Sequence, residues 1–202
     1  KLGFTNQAVW ERLGLDRPFW SPIYQETLRR PGAAALDGLA APRIEPEIVL
    51  GFGDDLAPGA SAEEVCDAVA WAALGFELVQ CHFPGWRLTP PDAIADAGLH
   101  GFLVIGERTS VTSSEANALA SVAVELYRDG VTVAQGQGTN ALGGPVAAVT
   151  WLLSLSEAPA VPAGAVITTG TLTAALEVSP GETWKLDSKG SVQLGALDIA
   201  LV

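Results

Sequence analysis

The chain has no methionine at all, and few charges for its length. Charged residues make up 17% of the 202 positions, well below the usual quarter, while apolar residues reach 49%. A monomer of this size needs polar clothing, so the deficit suggests a homo-oligomer, dimer or higher, with surface buried between copies. Positive charge is scarcer still: 11 Lys and Arg stand against 23 Asp and Glu, a net charge of −12. No basic stripe is present, which argues against a nucleic-acid partner. No apolar run approaches a membrane span, and no signal-peptide pattern opens the chain, so no membrane partner is expected. Cys66 and Cys81 are the only cysteines, and His82 and His100 the only histidines. Soft zinc and iron–sulfur sites are therefore disfavoured, and the absence of a disulfide framework fits a reducing cytoplasm. The start at Lys1 without an initiator Met suggests that an N-terminal segment precedes these residues. Residues 1–202 read as a single domain.

What is present is a pair of acids in an apolar strand. Arg43-Ile44-Glu45-Pro46-Glu47-Ile48 reads as a short buried strand, with Glu45 and Glu47 on one face about 6.6 Å apart. At that distance two carboxylates repel by about 2.5 kcal/mol at an effective dielectric of 20, so a buried pair needs a cation. A third acid, Glu77, lies in the apolar stretch Gly75-Phe76-Glu77-Leu78-Val79. Three converging hard oxygen donors suit Mg²⁺ or Mn²⁺. Spacing alone leaves a second reading open, the solvated face of an edge strand, which Pro46 favours because it cannot donate to a ladder.

Around these strands the pattern predicts a helix over 6–14 capped by Asn6, loop over 17–42, strand 44–50, and a helix over 62–74 opened by the capping box Ser61-Ala62-Glu63-Glu64. Strand 75–80, a short helix from Pro90 towards Gly98, and strand 101–105 follow. Val122, Val124 and Leu126 alternate into the turn Arg128-Asp129-Gly130, a hairpin signal. A helix over 146–155 precedes short strands at 165–169, 174–178, 183–187 and 191–201. Many strands, three or four helices and no regular βαβ alternation indicate an α+β or mostly-β fold.

Several blocks, taken in order, resemble the 2-keto-4-pentenoate hydratase branch of the fumarylacetoacetate hydrolase superfamily. They are Lys1-Leu2-Gly3-Phe4-Thr5, Leu13-Gly14-Leu15-Asp16-Arg17-Pro18, the Glu45/Glu47 strand, Phe76-Glu77-Leu78-Val79, Ile94-Ala95-Asp96, Gly136 to Gly143, Thr169-Gly170-Thr171-Leu172-Thr173 and Pro180-Gly181-Glu182. The resemblance implies an α+β fold, a mixed β-roll or β-sandwich of the family's C-terminal-domain type with a few flanking helices, acting as a single catalytic domain over 1–202. It implies a metal held by Glu45, Glu47 and Glu77, and a small anionic 2-oxo acid substrate chelated through its carboxylate and oxo group, as in aromatic compound catabolism. Lys1 matches the family's active-site lysine, which either shuttles a proton or stays charged to bind carboxylate. Thr171, with Gly170 beside it, matches a loop whose hydroxyl and amides bind a substrate carboxylate.

The expected activity is that of a metal-dependent lyase adding water to a 2-hydroxy-dienoate. Decarboxylation of a 2-oxo diacid, of the 4-oxalocrotonate type, needs the same electron sink and is the alternative. C–C bond hydrolysis calls for a His–acid pair, and a non-catalytic metal-binding relative is the remaining reading. Two departures bear on this choice. Phe19-Trp20 stands where hydratases of this type carry an acid, and Gln80 replaces a further acid ahead of His82 and Trp86. A polar wall has become apolar and aromatic, fitting either core packing or a pocket for a larger, more apolar substrate. His82 is a candidate replacement base or a structural residue, Asp96 orients a water or serves as a helix cap or salt-bridge partner, and His100 is a packing or satisfied polar residue.

Overall fold

The computed structural model describes residues 1–10 and 14–202. Eighteen elements carry the argument. β1 (Leu2–Gly3), β2 (Phe19–Trp20), β3 (Leu28–Arg29) and β4 (Gly32–Ala34) are short, and β5 (Arg43–Phe52) is the first long strand. Then come α1 (Ala62–Ala68), β6 (Val69–Val79), α2 (Pro90–Ala95), β7 (His100–Ile105), β8 (Thr109–Ser110) and α3 (Ser113–Ala118). β9 (Ala123–Arg128), β10 (Val131–Gln137), α4 (Pro145–Leu153), β11 (Val166–Thr171), β12 (Leu176–Glu177), β13 (Thr183–Lys189) and β14 (Ala196–Leu201) complete the chain.

One sheet runs β11-β5-β6-β7-β3, with β12 added on β5 and β8 on β6; the second runs β10-β9-β13-β14-β4. Both are mixed: most pairs are antiparallel, but β3 joins β7 and β4 joins β14 in parallel. Between the sheets lies the main core. Ile44, Ile48, Leu50, Leu74, Phe76 and Leu78 from the first sheet meet Val124, Leu126, Trp184, Leu186, Leu197 and Ile199 from the second. Helices α1, α3 and α4 close this core through Val65, Ala116, Val149 and Leu152. The expected mixed β-roll with few flanking helices is what the chain forms.

Differences from the sequence reading have physical reasons. The helix predicted over 62–74 ends at Ala68, and β6 starts at Val69 rather than 75. Val69 and Trp71 prefer strand, and pairing with β5 extends to Phe52↔Val69. Gly51 makes room for the Trp71 indole, since a Cβ there would lie 1.9 Å from the ring. The Ser61–Glu64 capping box is formed as expected. Another at Thr112 and Glu115 opens α3, which the sequence reading left unassigned. Of the helix expected over 6–14, the structure has a 3-10 turn at Gln7–Val9 capped by Asn6, and residues 11–13 lie outside the described ones. The expected loop over 17–42 contributes three short strands, β2 to β4.

Nor is β5 an edge strand: β6 flanks it on one side and β11 and β12 on the other. Pro46 is tolerated because N and O of a strand residue point to one side. The Pro46 carbonyl accepts from Leu172 N at 2.8 Å, where the chain leaves the sheet between β11 and β12, so the missing N–H breaks no ladder bond.

The Asp129-Gly130 turn, with φ of 51° and 77°, joins β9 to β10 as the hairpin signal predicts. Trp184, 1% exposed in the inter-sheet core, anchors β13. Trp184→Ala is expected to lower unfolding free energy by about 3–5 kcal/mol, read from urea melts followed by circular dichroism.

Candidate metal centre

Strand alternation sends Glu45 and Glu47 to the face of β5 opposite the main core, and the antiparallel register sets Glu77 directly across from Glu45. Opposite Glu47 stands Gly75. A Cβ at Gly75 would come within 2.7 Å of Val49 Cγ2, so glycine keeps this face open. Carboxylate oxygens of Glu45, Glu47 and Glu77 all lie within 4.8 Å of one another. At 4.8 Å each ionised pair repels by about 3.5 kcal/mol at an effective dielectric of 20. Glu47 and Glu77 are fully buried.

Each buried acid has one satisfied and one free oxygen. Glu47 Oε2 accepts from the Thr168 hydroxyl and from Gly170 N–H at 2.8 Å. Glu77 Oε1 accepts from Lys1 Nζ and from His100 Nδ1 at 2.7 Å. Glu47 Oε1 and Glu77 Oε2 have no partner among the described residues. Orphaned buried carboxylate oxygens are costly, and two of them meeting beside a third acid form a donor set that fits a hard divalent cation.

Electrostatics follows from the same crowding. Burial, and then the neighbouring Glu77, raise Glu45 to about 7. Burial, followed by the charges of Glu77 and Glu45, puts Glu47 well above the usual carboxylate range. For Glu77, burial alone would raise the pKa, but the Lys1 ammonium and the His100 hydrogen bond together outweigh it and hold the carboxyl at about 2. Burial pulls Lys1 down, yet the attraction of Glu77 and Glu45 prevails and its pKa is raised. The ammonium also donates to the Gly98 carbonyl at 2.9 Å.

A cavity of about 390 Å³ opens above the acids, lined by Lys1, Glu45, Gly170 and Thr171. Phe4, Phe19, Trp86 and Leu99 supply its apolar wall. Phe19 is wedged between Gly3 and Gly98, either of which would collide with its ring if it carried a Cβ, and packs edge-on against Phe4 at 4.9 Å. Arg43 lines the same space with its guanidinium 4.2 Å from the Trp86 ring.

All six residues expected from the sequence converge here. Gly170, at φ 103°, spends its N–H on Glu47, and a Cβ there would lie 1.7 Å from Thr5 Oγ1. The Thr171 hydroxyl donates to Thr173 O at 2.9 Å while facing the cavity. Other residues stay outside the cavity. His82 is largely exposed and bonded to Asp96 at 2.7 Å. Gln80 links Ala40 N to the His100 carbonyl, a structural bridge. Sequence reasoning missed His100 and Thr168, which touch the acids only through strand register. The one local signal was the hydroxyl-rich run Thr168-Thr169-Gly170-Thr171.

A family model described as fumarylacetoacetate (FAA) hydrolase C-terminal matches residues 23–199, and the chain belongs to this family. Among curated relatives, the 2-hydroxyhexa-2,4-dienoate hydratase of Comamonas testosteroni is 30% identical over 196 residues, covering 94% of this chain and 74% of that protein. 2-Keto-4-pentenoate hydratase 2 of Dechloromonas aromatica is 29% identical, covering 98% and 76%. Among solved structures, 4-oxalocrotonate decarboxylase from Pseudomonas putida G7, complexed with magnesium and adipate, superposes with a TM-score of 0.90 at 24% identity, over 100% of this chain and 76% of that one. At that identity the likeness is one of fold.

The carboxyl shifts set a pH test. Glu45 and Glu47 bind protons more tightly folded than unfolded, so between about 4.5 and 7 the metal-free fold holds more protons. Its stability is expected to fall as pH rises through that window. Thermal melts in EDTA are expected to show a lower Tm at pH 8 than at pH 5.5, a slope that Glu45→Gln flattens. Added Mg²⁺ is expected to raise Tm more at pH 8 than at pH 5.5.

Proposed function

We propose that residues 1–202 form a single catalytic domain, a divalent-metal-dependent lyase acting on a small 2-oxo acid. The favoured reaction is addition of water to a 2-hydroxy-dienoate, as in 2-keto-4-pentenoate hydratases. The observation that carries this reading is the pair of orphaned carboxylate oxygens beside a third acid and a lysine, the last two of which line a cavity. The hydratase names of the relatives supply the reaction class.

Glu45, Glu47 and Glu77 hold the ion, and an all-oxygen donor set favours Mg²⁺ or Mn²⁺. When bound, such an ion acts as a Lewis acid that stabilises negative charge developing on a 2-oxo oxygen and orients the acid. Three ionised acids outweigh the Lys1 ammonium and the Arg43 guanidinium on the cavity wall, and a divalent cation offsets the excess. Lys1, fixed between Glu77 and the Gly98 carbonyl, rests as an ammonium that gives a proton to substrate carbon and, once neutral, takes one back. The Thr171 hydroxyl binds the substrate carboxylate by turning its one O–H from Thr173 O into the cavity, and Gly170 holds Glu47 in line. Phe4, Phe19, Trp86 and Leu99 exclude water and pack the substrate's carbon chain.

One observation favours a second reading, decarboxylation of a 2-oxo diacid. Among the described residues lining the cavity, Glu45 is the only carboxylate and none is histidine. Water addition needs a group to activate water, whereas loss of CO₂ needs an electron sink and a proton donor. C–C hydrolysis ranks lower, because the His82–Asp96 pair lies away from the cavity. The low charge content and the exposure of Trp20, Tyr24 and Leu28 on one segment support a homo-oligomer. Among the described residues no helix is long and apolar enough to cross a membrane. The composition supports a cytoplasmic setting without nucleic-acid partners.

Glu47→Gln is expected to abolish measurable Mn²⁺ binding by titration calorimetry and to stop turnover of 2-hydroxypenta-2,4-dienoate and 4-oxalocrotonate alike. Unchanged binding in that variant would remove the metal assignment. Lys1→Ala is expected to lower kcat by about 10²–10⁴ while Mn²⁺ binding remains measurable. Product analysis with the two substrates separates hydration from decarboxylation.

A further inference from the structure

We infer that His100 is a positioning residue, which together with Thr27 orients Glu77 so that its free oxygen faces Glu45 and Glu47; this rests on the reading of the three acids as metal ligands. Both donors that reach Glu77, Lys1 Nζ and His100 Nδ1, end on Oε1, and Oε2 has none. Turning the carboxylate over would break both bonds, so the pair decides which oxygen is left for a cation. His100 itself is held from both ends. Its Nε2 lies 2.8 Å from Thr27 Oγ1, and its carbonyl accepts from Gln80 Nε2 at 3.2 Å. Thr27, whose hydroxyl also donates to Tyr24 O at 2.9 Å, holds the far edge of the ring, while the carboxylate, which only accepts, calls for a proton on Nδ1. Thr27 ends a 3-10 turn and leads into β3, which pairs with β7, so the outer end of this chain of bonds is anchored to the same sheet.

The ring reaches the acids because of a register shift. Glu77 pairs with Leu103 and Leu78 with Phe102, but Val79 pairs with His100 rather than Gly101. Regular alternation would send His100 to the opposite face, into the inter-sheet core. The extra residue turns it onto the acid face. Gly101 absorbs the irregularity, since a Cβ there would lie 2.6 Å from the Leu78 carbonyl oxygen. A side chain with only a packing role needs no such bulge. His100 does not line the cavity, so it acts through Glu77 and not on substrate.

The test is Mn²⁺ affinity by calorimetry for His100→Leu, His100→Asn and Thr27→Val, with metal-free melts in parallel. His100→Leu is expected to weaken Mn²⁺ binding about 10–100-fold. His100→Asn, whose amide N–H takes the place of Nδ1–H, is expected to recover most of that loss, and Thr27→Val to fall between them. Equal Mn²⁺ affinity in the Leu variant and the wild type would overturn the inference, as would equal loss in Leu and Asn. Glu47→Gln runs alongside. If it abolishes binding while His100→Leu binds normally, only the role of His100 falls; if it binds normally, the ligand reading falls and this inference with it. Should His100→Leu not fold, ¹⁵N shifts of the wild-type ring decide. A protonated Nδ1 supports the inference, and a proton on Nε2 alone overturns it.

Discussion

Three carboxylates are crowded onto one face of a buried sheet, outnumbering the Lys1 ammonium and the Arg43 guanidinium that answer them among the described residues, and the surrounding structure is arranged around that imbalance. Each neighbour serves either to hold an acid oxygen or to keep the opposite one free. Thr168 and Gly170 hold Glu47, Lys1 and His100 hold Glu77, and Gly75 leaves space where a side chain would intrude. Burial, and then the neighbouring negative charge, raise Glu45 and Glu47, and the crowding is tolerable because the two orphaned oxygens can share one cation.

The fold makes this possible by giving one sheet two different faces. On β5, Ile44, Ile48 and Leu50 join the core against the second sheet, while Glu45 and Glu47 point away from it. The core face supplies the stabilisation that a charged, strained site consumes. The acid face is roofed by short pieces, the start of β1, β2 and the end of β11, which bring Lys1, Phe19 and Thr171 over the acids. Glycines appear where this roof comes closest: Gly3 and Gly98 against Phe19, and Gly170 against Thr5.

Reaction choice rests on the roof rather than on the floor. The acids and Lys1 supply what any enolate-forming reaction of a 2-oxo acid requires, so they do not separate hydration from decarboxylation. The walls do differ. Phe19 and Trp86 make the space above Lys1 apolar, and Gln80 has left the cavity to brace β7. A dry wall strengthens the electrostatics of the floor and leaves few groups to activate water.

By itself the sequence determined the elements and the cast. Apolar runs identified β5 and β7, alternation identified β9, the Ser61–Glu64 box placed the start of α1, and acids in apolar strands marked the floor, because these signals are local. Ordered motifs added Lys1, Gly170 and Thr171. Where β6 begins was not legible, since strand pairing at Val69 and Trp71 overrides a helical start. Pro46 misled for the same reason, because whether a proline breaks a ladder depends on what lies beside it. Only the tertiary structure decided that Glu77 faces Glu45, that His100 rather than His82 serves the acids, and that Gln80 is structural. Those facts depend on cross-strand register and on a one-residue bulge at Gly101, which join residues distant in the chain and leave no periodic trace along it.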